Sequence, residues 1–291
     1  MTATHEPGLL ARAPSPALMF GAIASVQFGS AIAATLFARV GPGGAVLLRL
    51  VSASLVLVAV WRPRVRGRSR RELVLAVAFG LVLAGMNLSF YIALHRIPLG
   101  IAVSIEFLGP LAVAIAGSRR RIDLLWVALA GAGIVALTHG GTGHLSAVGV
   151  AFALAAGCAW AAYILLNARV GRAFEGGAGL SLAMCIGSLA ALPVGVIDGG
   201  ARLLEPRSLL LGTAVGLLSS AIPYSFELEA LRRIAVNVFG VLMSLEPAMA
   251  ALAGLIVLGQ GLSGRALAGI ALVVIASAGA SLQTRAPPVD V

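Results

Sequence analysis

Apolar residues come in long runs along this chain, each about as long as a helix that crosses a bilayer, and polar residues gather in the short breaks between them. Ten such runs stand out, at 17–38, 44–61, 73–94, 99–116, 123–139, 147–167, 178–197, 209–231, 236–259 and 265–283. A hydrocarbon core offers no water to backbone N–H and C=O groups, so segments this apolar are predicted to close their hydrogen bonds internally, as helices. The expected fold is an all-α integral membrane protein of ten transmembrane helices. The stretch 1–16, with Pro14 and Pro16, reads as a tail before a retained first span rather than as a cleaved leader, and 284–291 as a second tail.

Composition agrees with the pattern. The 291 residues are 59% hydrophobic and 11% charged, beyond the apolar share of an ordinary soluble domain, and no segment is left over for one. The net charge of +10 would suit a nucleic-acid partner, but its placement follows a membrane instead. Every basic residue other than His is Arg. Fifteen fall in segments that are cytoplasmic if the N-terminus is inside, among them Arg62, Arg64, Arg66, Arg68, Arg70 and Arg71, against five on the other side, with Arg49 inside a span. That bias in short loops predicts both termini in the cytoplasm. The 62–71 run has no interleaved aromatics beyond Trp61 and sits in one short loop, so nucleic acid is not expected as a partner.

The two halves of the chain resemble each other. Ala38-Arg39-Val40-Gly41 recurs as Ala168-Arg169-Val170-Gly171, and Leu94-His95-Arg96-Ile97 aligns with Leu231-Arg232-Arg233-Ile234, a register that also places Pro110 on Pro247. Five spans precede the second copy, so it enters from the opposite face. The reading is a five-helix repeat over 17–139 and an inverted one over 147–283, an arrangement that puts a substrate site near the midplane where the halves meet. Abundant Gly and Ala would let such helices approach closely, although small residues are common in any membrane bundle.

Ionisable groups inside spans are the strongest functional pointers, because each costs at least about 2.5–3.5 kcal/mol at the bilayer centre unless it faces a cavity or a partner. Glu106 in the fourth span and Glu246 in the ninth lie deep, each near a proline whose missing N–H frees a carbonyl one turn back. In the repeat register Glu106 falls on Met243 and Glu246 on Gly109, so the two acids are not symmetric copies. Glu227 follows Pro223-Tyr224-Ser225-Phe226 in the eighth span, and Glu229 is placed to reach the cytoplasmic interface. Arg49, about one turn into the second span, can snorkel outward or pair with a Glu. Asn87 and Tyr91 share a face of the third helix, and Trp160 and Tyr163 a face of the sixth, either as packed aromatics or as a grip on a zwitterion.

Other chemistry is missing from the sequence. It has no phosphate loop, no HExxH and no GxSxG, and Cys158 and Cys185 lie within spans as packing residues, without the spacing of a disulfide framework or a zinc site. His5, His95, His139 and His144 sit at the N-terminus or at loop edges without ligand partners. No cofactor, metal or enzymatic activity is expected, and transport would draw on a gradient. Desolvation favours the protonated form of a carboxylate, which suits a buried Glu to carry a coupling proton.

Gly85-Met86-Asn87 with Phe90-Tyr91, Pro98 through Val103, Glu106-Phe107, Gly109 through Ala114, Pro223-Tyr224-Ser225 with Glu227, and Met243-Ser244 with Glu246-Pro247-Ala248 together resemble the bacterial threonine/homoserine exporters. These belong to the ten-helix (EamA-type) branch of the drug/metabolite transporter superfamily, and the likeness runs essentially end to end. It implies an inner-membrane, multi-pass exporter of small neutral amino acids that exchanges them for protons by alternating access; a homodimer is compatible with it. The chain departs from the family pattern in Glu229, where an apolar residue is usual, and in its exclusive use of Arg. Two other readings stand beside it: efflux of other metabolites or cationic drugs by the same acids, and a membrane-embedded enzyme or scaffold, which would need a constellation the sequence lacks.

Overall fold

A computed structural model of the protein describes residues 14–116, 122–138, 145–231 and 236–283. Among them every regular element is helical. In chain order they are α1 (Ser15–Trp61), α2 (Arg70–Leu94), α3 (Leu99–Glu106), α4 (Leu108–Ala116), α5 (Asp123–Thr138), α6 (Ala147–Ala173) and α7 (Ala178–Gly199). After a 3₁₀ turn at Gly200–Leu204 come α8 (Pro206–Gly216), a π-turn at Leu217–Ala221, α9 (Ile222–Leu231), α10 (Val236–Met243), α11 (Glu246–Leu258) and α12 (Gly264–Gln283).

Seven of the described helical runs are long and apolar enough to cross a membrane, by length and composition: Ser15–Trp61, Arg70–Leu94, Leu99–Ala116, Ala147–Ala173, Ala178–Leu204, Val238–Leu258 and Gly264–Leu282. The difference from ten predicted runs has local causes. The first two runs share α1, because the helix re-forms directly after one non-helical residue, Gly41, with φ 67° and ψ 170°. The fifth run is the 16-residue α5, and the eighth is divided by the π-turn. Gly41 holds a backbone conformation essentially confined to glycine, and Pro42 then supplies the φ of a first helical residue. The freed N–H of Gly43 donates to Asp198 Oδ2 at 2.9 Å, so the last turn of α7 caps the second leg of α1 from across the molecule.

With lipid tails as apolar as Leu, packing between these helices depends on close fit rather than on water exclusion. α1 packs on α7, α2 on both α6 and α7, α3 on α11, and α5 on α12. The closest approach joins α4 to α6, where a β-carbon at Gly109 would stand 2.0 Å from the carbonyl oxygen of Gly157. Outward, the bundle shows Leu55, Val60, Leu124, Leu189 and Leu210, the surface of a protein whose solvent is lipid. Cys158 lies on that exposed side, and Cys185 is half-buried.

Polar ties fasten the two ends. At the end that holds the Gly41 break, Arg39 pairs with Glu205, and Arg202 donates to the Arg39 carbonyl at 3.5 Å. At the other, Ser69 and Glu72 form a capping box for α2. Arg68 there bonds Glu72 at 3.1 Å, reaches the Ala173 carbonyl at 3.4 Å, and lies 4.9 Å over the ring of Phe174.

Replacing Gly41 by Ala forces a side chain into a glycine-only conformation and sets its β-carbon 2.8 Å from that of Asp198. The expected loss is about 1–3 kcal/mol of stability, read as a lower thermal midpoint of the detergent-solubilised protein by fluorescence-detected size exclusion. An unchanged midpoint would mean that the break accepts a β-carbon.

Candidate functional site

Three prolines in the first turns of helices organise the centre of the bundle. Each lacks the N–H that would bond the carbonyl four residues earlier: Pro110 releases the carbonyl of Glu106, Pro223 that of Ser219, and Pro247 that of Met243. Glu106, Ser219 and Met243 all line one cavity, with Pro223 itself beside them. The helices break where the prolines act. α3 ends on Glu106, α10 ends on Met243 with α11 starting at Glu246, and the π-turn Leu217–Ala221 runs into Pro223. π-turns inside α-helices are frequent at functional sites.

The cavity holds about 140 Å³ of space open to the centre of a water molecule, on the order of ten water positions and room for a small solute. Its walls come from α1, α2, α3, α6, the π-turn, α9, α10 and α11. Of the nine residues singled out from the sequence, seven line it: Arg49, Asn87, Glu106, Trp160, Tyr163, Glu227 and Glu246. Tyr91 does not. It is fully buried behind the wall, bonded to the lining Arg49 and packed on the lining Phe90 with ring centroids 6.0 Å apart. The side chains of Tyr224 and Glu229 lie outside the described residues, as do His5, His139 and His144.

Arg49 turns inward rather than snorkelling. Its Nη1 donates to Tyr91 Oη at 3.3 Å and its Nη2 to the Ser219 carbonyl at 3.2 Å, while the guanidinium lies 5.7 Å from the centroid of the Tyr91 ring. The acceptor on Ser219 is the carbonyl that Pro223 releases. Both bonds are long beside the ~2.7–2.9 Å of charge-assisted pairs, and Nε is buried without a partner.

The acids face the same space without closing on the guanidinium. Glu106 and Glu246 are buried and Glu227 is half-buried. Among the described residues none of the three has a hydrogen-bond or ion-pair partner. Glu106 lies within electrostatic reach of Arg49, and Glu246 within reach of Glu227 and Glu106. Burying unpaired charges is expensive, so a site of this kind is completed by something that enters it.

The remaining residues serve packing and lining together. Asn87 spends one amide N–H on the Leu83 carbonyl at 2.8 Å and presents its other face to the cavity. Trp160 meets Phe107 edge-on with centroids 5.4 Å apart, and Tyr163 stacks on Phe79 at 5.2 Å. Sequence reading passed over Gln27, Ser30 and Ser219, which also line the cavity. A signal was there for Ser219, four residues before Pro223. For Gln27 it was a lone amide within the apolar run 17–38.

Comparison with known proteins places this arrangement. An EamA-like transporter family model matches residues 147–282, the second half of the chain. The threonine/homoserine exporter RhtA of Salmonella typhimurium strain LT2 is 42% identical over 270 residues, covering 92% of this chain and 91% of that protein. The threonine/homoserine exporter RhtA of Escherichia coli K12 is 41% identical over 271 residues, with the same coverage. One solved crystal structure superposes with a TM-score of 0.64 at 20% identity, over 93% of this chain and 97% of its own, a likeness of fold. With such relatives aligned along nearly its whole length, the chain belongs to the EamA-like transporter family, as a multi-pass membrane transporter and a relative of the threonine/homoserine exporters.

Proposed function

We propose that this protein exports small neutral amino acids of the threonine and homoserine type across the bacterial inner membrane, in exchange for protons and by alternating access. The observation that carries the reading is the charge layout of the cavity. A guanidinium and three carboxylates face one small space with no ion pair between them. A zwitterion complements that layout, its carboxylate on Arg49 and its ammonium among Glu106, Glu246 and Glu227. The relatives' names point to the same substrates.

Ten spans follow if α1 counts as two about Gly41 and if α5 and the α8–α9 run each count as one. The packing supports two inverted repeats over 17–139 and 147–283. α2 lies on α6, and its counterpart α9 lies on α1; α4 lies on α6, and its counterpart α11 on α1; α5 lies on its own counterpart α12. The Arg bias then puts both termini in the cytoplasm. A second reading, efflux of other metabolites or cationic drugs, draws on the excess of carboxylates over guanidinium, and competition by a lipophilic cation would favour it.

In proteoliposomes with an imposed pH gradient, threonine flux should follow the gradient. Glu106→Gln should lower the gradient-driven component by at least about tenfold, the worth of one lost charge-assisted contact. Unchanged gradient-driven flux in that variant would remove Glu106 from the coupling role. Arg49→Gln should raise the threonine concentration for half-maximal transport by roughly 10- to 100-fold, the ~1.5–3 kcal/mol of a hydrogen bond to a charged group. Inhibition by an amine without a carboxylate, such as ethanolamine, should stay within about twofold.

A further inference from the structure

Among the described residues, buried side-chain N or O atoms without a hydrogen-bond partner gather at one corner of the cavity. Gln27 Oε1, Ser30 Oγ, Ser219 Oγ and Arg49 Nε are four of eight such atoms, and all four residues line the cavity. Ser220 Oγ, next along the chain, is also buried without a partner, but Ser220 does not line the cavity. Gln27, Ser30 and Ser219 are each at least nine-tenths buried. Buried polar atoms in folded proteins nearly always find partners, so a cluster of exceptions asks what completes it.

The corner is built, not incidental. Gln27 and Ser30 stand one turn apart on α1 and so share a face. Ser219 Oγ meets α1 at Gly29, the residue before Ser30, where a β-carbon would lie 2.3 Å from it, and Gln27, Ser30 and Ser219 line the same cavity. One turn below, Ser25 donates to the Leu218 carbonyl at 2.6 Å and holds the π-turn against α1. Arg49 bonds the Ser219 carbonyl from the other side, which sets the corner directly beside the guanidinium.

We infer that Gln27, Ser30 and Ser219 form the subsite that reads the hydroxyl of the substrate's side chain. The inference rests on the amino-acid reading above: with the carboxylate on Arg49 and the ammonium toward the acids, the side chain turns to α1. A hydroxyl donates one hydrogen bond and accepts others. It can donate to Gln27 Oε1 while accepting from Ser30 or Ser219, a pairing no methyl group can make. Gln27 swings on three rotatable bonds, so one amide can follow a hydroxyl on the β- or the γ-carbon. A site that leaves polar groups unpaired discriminates strongly against an analogue lacking the hydroxyl, whereas an apolar pocket discriminates weakly.

The test compares threonine with valine, its near-isostere with a methyl in place of the hydroxyl, in proteoliposomes holding the full-length protein. The unmodified protein should transport threonine at least about tenfold better by kcat/KM. Gln27→Met with Ser30→Ala should bring the two within about threefold of each other, by slowing threonine and leaving valine unchanged or faster. Ser30→Ala alone, which adds no volume, should narrow the ratio in the same direction and serves if the double variant does not reconstitute. Equal transport of both amino acids by the unmodified protein, or an undiminished preference in Ser30→Ala and the double variant, overturns the subsite and leaves the carrier reading standing. Transport of neither amino acid by the unmodified protein overturns the carrier reading and this inference with it.

Discussion

A peptide carbonyl inside a bilayer has no water to turn to, and the centre of this protein is arranged around three that its own helices cannot satisfy. Pro110, Pro223 and Pro247 each withhold the N–H that the carbonyl four residues back would use, and each of those carbonyls belongs to a residue on the cavity wall. One result is visible as a bond: the Ser219 carbonyl takes Arg49, and Arg49 in turn takes Tyr91. Another is visible as packing. The Glu106 carbonyl lies against Gly157, where a β-carbon would stand 2.7 Å from it. The same breaks set Glu106 and Glu246 at helix ends, where the chain turns and side chains can point into open space.

Charge separation follows from that frame. Were Arg49 closed onto Glu106, the pair would satisfy itself and leave little for a solute to do. Held instead by a phenol and a carbonyl, both neutral and both at long range, the guanidinium keeps its charge available. The acids across the cavity keep theirs for the same reason. An arrangement of this kind is costly when empty, and on the proposed reading a zwitterion or a proton entering it would relieve that cost and supply the differential free energy a carrier needs to shift between conformations.

Much of this was legible in the sequence, and the rest was hidden for reasons particular to helices in lipid. Run length and composition identified the helical spans, and the rarity of acids in such runs drew the eye to Glu106, Glu227 and Glu246. The fate of Arg49 was not legible, because a helix sequence gives the face a residue occupies and not the partner it meets. Its acceptor is a carbonyl 170 residues away, exposed by a proline in another helix. Tyr91 was grouped with Asn87 on one face, yet it lies behind the wall, since four residues on a helix leave an angular offset that larger side chains amplify. Gln27 and Ser30 carry no charge, and one uncharged amide or hydroxyl in an apolar run signals little until its neighbours are seen.

The ties at the two ends bear on how such a cavity is reached. Arg39 with Glu205, Arg202 with the Arg39 carbonyl, and Gly43 with Asp198 join the first part of the chain to the second at one end. Arg68 with Ala173 and Phe174 does the same at the other. Between them the packing combines close small-residue contacts, Gly133 on Gly269 and Gly109 on Gly157, with the aromatic pairs of Tyr163 on Phe79 and Trp160 on Phe107. If the carrier works by the alternating access proposed above, separation of the halves at one end would break a few polar bonds there, partly repaid by water, and the close glycine contacts could act as a pivot. On the proposed alternating-access reading, polar latches at both ends of the central cavity would let it open to one side or the other in turn. The Gly41 break, pinned by Asp198, is where motion at the first end would have to be absorbed.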